Sequence, residues 1–232
     1  DSPMFPYLDL NDSFQFPDPE EADEYGILAS GGNLSPGMLL SAYRQGIFPW
    51  FNRHEPILWW SPDPRCVLYP EELHVSKSMR RVLKKGTFTV TFDTAFEEVI
   101  GECAAKFRPG QGGTWITPDM QAAYSELHRL GVAHSAEAWF DGRLAGGLYG
   151  LALGGLFCGE SMFSHRANAS KAAFITLVGE LAARGTRLID CQVYNPHLAT
   201  LGAKDIPRSR YIGEMKELLE LPGPGDSWSD WR

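Results

Sequence analysis

Asp141-Gly142 stands between two runs of strand character, Ala133 to Phe140 and Arg143 to Leu153. An Asp-Gly pair in that setting signals a type I′ hairpin, because both central residues must accept positive φ. A third apolar run bounded by glycines, Gly154 to Ser164, follows at once. The three segments read as an antiparallel meander. A helix from Ser170 to about Ala183, stopped near Gly185, comes next, and then a further apolar strand from Thr186 to Val193. A meander, a crossover helix and one more strand in that order imply an α+β layer fold.

Glu160 is out of place in the third strand. Strict alternation puts Leu156, Cys158, Glu160 and Met162 on one face, so a carboxylate shares a wall with apolar side chains. An ionised group there costs on the order of several kcal/mol unless something pairs with it. Such an acid suits a ligand that is cationic at one point and apolar elsewhere, as an amino acid residue with a large side chain is. Pairing with an internal Arg or a backbone donor is the structural alternative. The last strand carries Asp190 and Gln192 on one face and Ile189, Cys191 and Val193 on the other. Two polar residues at a strand's C-terminal end before a turn mark a frequent place for a site. With Glu160 they make two carboxylates and an amide, without a Ser-His or Cys-His pair. That set binds and orients amines and does not suggest a covalent intermediate.

The 232 residues are long enough to bury a core, and 44% hydrophobic with 22% charged residues is ordinary for a soluble protein. A net charge of -8 argues against wholesale coating of nucleic acid but permits a local basic patch. Cys66, Cys103, Cys158 and Cys191 lie far apart, as reduced buried thiols do, and the histidines show no ligand spacing. No metal site and no cofactor are expected. The start, Asp1-Ser2-Pro3, has no leader pattern, and no run reaches membrane-spanning length, so a cytoplasmic, membrane-free protein is expected.

Residues 1–70, rich in Pro and aromatics, read as a small N-terminal domain. They include a helix with Ser35 as cap, Pro36 at its first position and Gly46 as stop. Their tryptophans are either core or a stacking wall for a ring. The second domain is assigned to residues 71–220, and residues 221–232 to a flexible tail. Its first helix, between Ser76 and Gly86, places Lys77, Arg80, Arg81, Lys84 and Lys85 mostly on one side. That face is either merely solvated or a phosphate-backbone contact. Asp93 reads as cap of a helix to about Lys106. A mobile glycine-rich loop, Arg108 to Trp115, precedes a helix capped by Thr117 and stopped at Gly131.

Several motifs together resemble leucyl/phenylalanyl-tRNA–protein transferases. They are Gly46-Ile47-Phe48-Pro49-Trp50-Phe51, Trp59-Trp60-Ser61-Pro62-Asp63-Pro64-Arg65, Gly159-Glu160-Ser161-Met162-Phe163-Ser164, Asn168-Ala169-Ser170-Lys171, and Leu188-Ile189-Asp190-Cys191-Gln192 with Leu201-Gly202-Ala203. The likeness runs from about Asp18 to Leu219. It implies a GNAT-like acyltransferase domain with a small N-terminal α+β domain; a monomer is expected. The implied reaction moves Leu or Phe, less readily Met, from aminoacyl-tRNA to the N-terminal Arg or Lys of acceptor proteins, a tag in the N-end rule degradation pathway.

By the same resemblance, Glu160 holds the α-amino group of the esterified residue. Phe157, Met162 and Phe174 line its side-chain pocket, with Ser170 also at the substrate. Trp50 and Trp115 enclose the 3′-terminal adenosine, and Lys77, Arg80, Arg81, Lys84 and Lys85 meet the tRNA. Gln192 and Asp190 join Glu160 as catalytic residues. A neutral amide has almost no proton affinity near pH 7, so Gln192 is expected to align the reactants. Asp190 is expected to fix the amide's orientation and to attract the acceptor's cationic end. Two alternatives remain. One is an acyl-CoA-dependent N-acyltransferase of the same fold, disfavoured because Arg166-Ala167-Asn168-Ala169-Ser170-Lys171 lacks the glycine that lets backbone approach a pyrophosphate. The other is a non-catalytic tRNA- or peptide-binding module.

Overall fold

A computed structural model describes residues 4–106 and 116–231. In chain order the elements are β1 (Ile27–Ser30), α1 (Pro36–Arg44), β2 (Phe48–Pro49), β3 (Leu58–Trp60), β4 (Arg65–Leu68), α2 (Lys77–Lys85), β5 (Thr89–Phe92), α3 (Phe96–Ala105) and α4 (Pro118–Arg129). The meander β6 (Ala133–Phe140), β7 (Arg143–Leu153) and β8 (Leu156–Ser164) follows. Then come α5 (Ala169–Ala183), β9 (Leu188–Gln192), α6 (Pro196–Ala199), β10 (Lys204–Ile206) and α7 (Arg208–Leu219). A small sheet has the order β1-β3-β2, and a seven-stranded sheet the order β10-β4-β9-β8-β7-β6-β5. In the large sheet β8 and β9 run parallel, joined by α5 as crossover, and the other pairings are antiparallel. The mixed α+β class is as expected.

Local chemistry sets the element ends. Asp141 and Gly142 take φ of 50° and 73°, the double positive that a tight hairpin demands. The hydroxyls of Ser76 and Thr117 accept from the N–H groups of Met79 and Met120 at the starts of α2 and α4, and Gly86 ends α2 at φ 68°. Two ends differ from expectation. Ser35 precedes α1, but its hydroxyl accepts from Leu8 N–H at 3.1 Å instead of capping the helix. Helix α3 begins at Phe96, and Glu137 of β6 accepts from the N–H groups of Thr94 and Ala95 at 2.6 and 2.8 Å. Asp93 serves elsewhere, accepting from His134 Nδ1 at 2.7 Å and Trp228 N–H at 3.0 Å.

The latter bond overturns the expectation of a flexible tail. Trp228 is completely buried, its ring stacked on His134 at 3.8 Å, and Trp231 stacks on it in turn at 4.3 Å. A large aromatic that finds a face to cover outweighs the loosening effect of Pro222 to Gly225.

Each face of the large sheet carries a core. One joins Leu156, Cys158 and Tyr149 to α3, α4, α7 and, from the N-terminal region, Met38, Leu39 and Tyr43 of α1. The other joins Phe157 and Leu148 to α5 and Met79 of α2. The first 70 residues therefore share a core with the rest, and β4 sits inside the large sheet between β10 and β9.

Strand β8 departs from strict alternation. Gly150 pairs with Gly159 and Tyr149 with Ser161, which leaves Glu160 as one extra residue, a β-bulge. Beyond it the phase reverses: Met162 joins Leu148 on the α5 side, and Phe163 joins the opposite core. The shared face expected for Leu156, Cys158, Glu160 and Met162 is thus broken after Glu160.

Candidate active site

Pairing between the parallel strands β8 and β9 ends at Cys158 and Asp190. Glu160 and Gln192 lie just past that point, and Gln192 Nε2 donates to Glu160 Oε1 at 3.1 Å. A cavity of about 660 Å³ opens there, lined by Leu148, Glu160, Met162, Phe174, Ile189 and Gln192 and rimmed by Tyr25, Trp50, Trp60 and Tyr194. The enclosure is mostly apolar, with Glu160 and Asp190 as its acids, and an acid in such a setting suits an amino acid residue.

Glu160 is held from below. Tyr43 on α1 donates its hydroxyl to Oε1 at 2.5 Å, and Tyr124 on α4 bonds to Tyr43 at 2.5 Å. Since Tyr43 spends its single proton on Glu160, Tyr124 donates to Tyr43. Burial pushes the Glu160 carboxyl up to about 8. Tyr43, Gln192 and Arg65 pull it down, and the charge of Asp190 pushes it further up. Both donors converge on Oε1, so Oε2 has no hydrogen-bond partner among the described residues. A neutral Glu160 carries its proton on Oε2, and an ionised one offers Oε2 as an acceptor.

Asp190 answers to different partners. Arg65 on β4 meets it with Nε to Oδ1 at 2.9 Å and Nη2 to Oδ2 at 2.7 Å. Tyr211 hydroxyl donates to Oδ2 at 3.1 Å and Gln192 N–H to Oδ1 at 2.9 Å. Arg65 is clamped in turn, donating to Gly46 carbonyl at 2.8 Å and facing the Tyr211 ring at 4.4 Å. With four donors and a paired charge, Asp190 neither holds the Gln192 amide nor presents free charge to an acceptor. It fixes the backbone of Gln192, whose φ is 67°. The amide itself is oriented by Glu160.

Met162 and Phe174 line the cavity, and Trp50 stands at its rim. Trp50 and Trp60 lie 5.1 Å apart between rings, and Trp60 Nε1 donates to Trp50 carbonyl at 2.6 Å. The same two rings line a neighbouring cavity of about 1240 Å³ with Phe51, Arg53, His54 and Gln121. Trp59 is core. Phe157 and Ser170 do not reach the cavity. Phe157 lies five residues from Met162 along β8, roughly 16 Å at strand rise, under the tail with its ring 6.0 Å from Trp228. Ser170 is buried at the start of α5, its N–H donating to Ser164 Oγ at 3.2 Å. Trp115 and the loop before it lie outside the described residues.

Lys77, Arg80, Arg81, Lys84 and Lys85 are all exposed on α2, away from the cavity lining, and none is ion-paired with a described residue. Neither thiol at the β8–β9 junction is poised for attack. Burial holds Cys158 well above the ordinary thiol range, and the Cys66 contact together with burial does the same for Cys191.

Sequence reasoning missed Tyr43, Tyr124, Arg65 and Tyr211. A signal existed for Arg65: it opens a strand of apolar residues, and an arginine there requires a carboxylate, as Asp190 requires a cation. The three tyrosines carried a weaker one, since a phenol on a buried helix face must find a partner.

The chain matches the profile of the family described as leucyl/phenylalanyl-tRNA protein transferase over residues 67–216, and that of the family's N-terminal domain over residues 32–63. A leucyl/phenylalanyl-tRNA–protein transferase of Anaeromyxobacter sp. (strain Fw109-5) is 55% identical over 213 residues, covering 92% of this chain and 91% of the relative. Its counterpart in Chromohalobacter salexigens is 55% identical over 227 residues, covering 97% and 88%. That of Hahella chejuensis is 53% identical over 230 residues, covering 99% and 96%. Two solved structures are more distant. L-PGS from Bacillus licheniformis has a TM-score of 0.39 at 11% identity, covering 59% of this chain and 49% of that one. A GCN5-related N-acetyltransferase from Kribbella flavida has a TM-score of 0.37 at 12% identity, covering 74% and 61%. At that level neither bears on function.

Proposed function

Since the chain belongs to the leucyl/phenylalanyl-tRNA–protein transferase family, we propose that it moves Leu or Phe, and less readily Met, from aminoacyl-tRNA to the N-terminal Arg or Lys of cytoplasmic acceptor proteins, tagging them for N-end rule degradation. The membership makes it an aminoacyltransferase. The finer choices of amino acid, acceptor and pathway are our reading.

One observation supports the reading most. Glu160, in a mostly apolar cavity, keeps Oε2 without a partner among the described residues while Oε1 is saturated by Tyr43 and Gln192. The α-amino group of an esterified residue would meet Oε2. Leu148, Met162, Phe174 and Ile189 would enclose its side chain. Such a pocket separates Leu or Phe from smaller residues by only ~1–3 kcal/mol per methylene, which leaves room for Met. Trp50 and Trp60 would pack the terminal adenosine, with exposed α2 attracting phosphates farther along the RNA.

The ester is already activated, so the enzyme's task is positioning. The acceptor's α-amine adds to the ester carbonyl, the C–N bond forms, and the C–O bond to the ribose breaks. The proton released by the amine ends on the departing ribose oxygen. Gln192 Oε1, which accepts from no described residue, would take one N–H of the attacking amine. Asp190 keeps that residue's backbone in place.

The test is transfer of labelled Phe, Leu and Met from charged tRNA to peptides beginning with Arg, Lys or Ala. Transfer to Arg and Lys peptides but not to Ala is expected; no transfer to the cationic pair sinks the reading.

A further inference from the structure

The rim of the cavity carries two features that the transfer chemistry leaves unused. Tyr25 and Tyr194 are 71% and 60% exposed, and both border the cavity that holds Glu160 and Gln192. Aromatic side chains are enriched where protein surfaces make their energetically important contacts. The stretch leading to Tyr25 is Asp18-Pro19-Glu20-Glu21-Ala22-Asp23-Glu24, and all its acids are exposed. None is ion-paired with a described residue.

The interior of the cavity has no anion to spare for a cationic acceptor. Glu160 is taken by the aminoacyl group in the function proposed above, and Asp190 is neutralised by Arg65. Recognition of an Arg or Lys side chain must therefore come from the rim. An aromatic face attracts a guanidinium or ammonium by its quadrupole, and does so without the desolvation a buried carboxylate would need. Charge decides the occupant. A base of the tRNA end could also stack on these rings, but the phosphates beside it would meet the acidic run, while a cationic N-terminus is drawn toward it.

We propose that Tyr25 and Tyr194 form the specificity surface for the acceptor, holding the cationic side chain of its first residue on their ring faces at the cavity mouth. The acidic run before Tyr25 speeds encounter with that end and keeps RNA off this side. The assignment rests on the acceptor class proposed above.

The test uses the full chain with charged tRNA-Phe and peptides that begin with Arg or with citrulline, which has the same shape without the charge. KM for each peptide and for the aminoacyl-tRNA is measured in the wild type, Tyr25→Ala, Tyr194→Ala, Tyr25→Phe and Tyr194→Phe. Both alanine variants are expected to raise KM for the Arg peptide about 3- to 10-fold per ring, to leave the aminoacyl-tRNA KM unchanged, and to shrink the preference over citrulline. The Phe variants keep the wild-type values, because the face and not the hydroxyl binds. An unchanged Arg-peptide KM in both alanine variants, with the wild type still preferring Arg, overturns this assignment alone. So does a rise confined to the aminoacyl-tRNA KM, which would give the rim to the RNA. A wild type that never distinguishes Arg from citrulline removes the acceptor reading itself and this assignment with it.

Discussion

Arg65 and Asp190, 125 residues apart in sequence, close a two-pronged ion pair at 2.9 and 2.7 Å, with side chains only 1% exposed. The pair ties β4 to β9 directly behind Gln192, so the amide's position depends on a contact that never touches substrate. Asp190→Asn leaves a buried guanidinium without its counter-charge. We expect a loss of about 3–5 kcal/mol in unfolding free energy by denaturant titration. Adding Arg65→Met to Asp190→Asn recovers part of that loss, a result that strict additivity of the single changes excludes.

Tyr43→Phe removes one of the two donors to Glu160 Oε1 and strands the hydroxyl of Tyr124. Because the Tyr43 bond pulls the Glu160 carboxyl down, its loss moves that carboxyl further up. The pH dependence of KM for aminoacyl-tRNA shifts to higher pH in this variant, with a stability loss of about 1 kcal/mol. An unmoved profile argues that Tyr43 is only packing.

Stability falls as pH rises from mildly acid to mildly alkaline. Burial raises Glu160 to about 8 and Glu137 to about 7, against an ordinary 4.5. The folded chain therefore binds these protons more tightly than the unfolded one does. Their contribution is fully present below about 4.5 and is lost as pH climbs through 7 and 8, on the order of a few kcal/mol in all. Urea midpoints across that range record it. Glu160→Gln and Glu137→Gln each flatten the slope, and a slope unchanged in both contradicts the assignment.

Gln192→Ala lowers the transfer rate without deleting an ionisation from the pH–rate profile, since a neutral amide has no proton to lose there. Glu160→Gln raises KM for aminoacyl-tRNA on the order of tenfold and leaves the acceptor KM near its wild-type value, because a charge-assisted bond to the amine is lost. Equal effects on both KM values would place Glu160 outside the amine contact.

Trp228→Ala costs about 3–5 kcal/mol, by removing a fully buried ring stacked between His134 and Trp231. Thermal unfolding followed by circular dichroism measures it. A change within a few tenths of a kcal/mol would mean that the tail is not anchored in solution.

The sheet was legible because its signals are local. The Asp141-Gly142 turn set the β6–β7 register, and Ser76, Gly86 and Thr117 marked helix ends by their own backbone chemistry. What stayed hidden depends on distant residues. Glu160 has a partner 117 positions earlier in Tyr43, and nothing in the composition of β8 announces it. Phe157 was assigned to the pocket because no local sign says that Trp228 covers it. The tail looked loose because Pro and Gly act locally, whereas the Trp228 ring finds its place against β6. Glu160 itself was found by its cost alone: a carboxylate in an apolar run must be explained, wherever its partners lie.

The extra residue at Glu160 makes β8 a strand with two reading phases. Substitutions at Met162 and Phe157 act on separate stretches of one face, so the pocket can drift toward other side chains while the interior behind the tail stays as it is. Loss of one residue between Gly159 and Ser161 is another matter. It would restore a single phase with Met162 and Phe163 still on their present faces, but would remove the bulge and with it the placement of Glu160. A lineage carrying this site is free to change letters here, but not the frame.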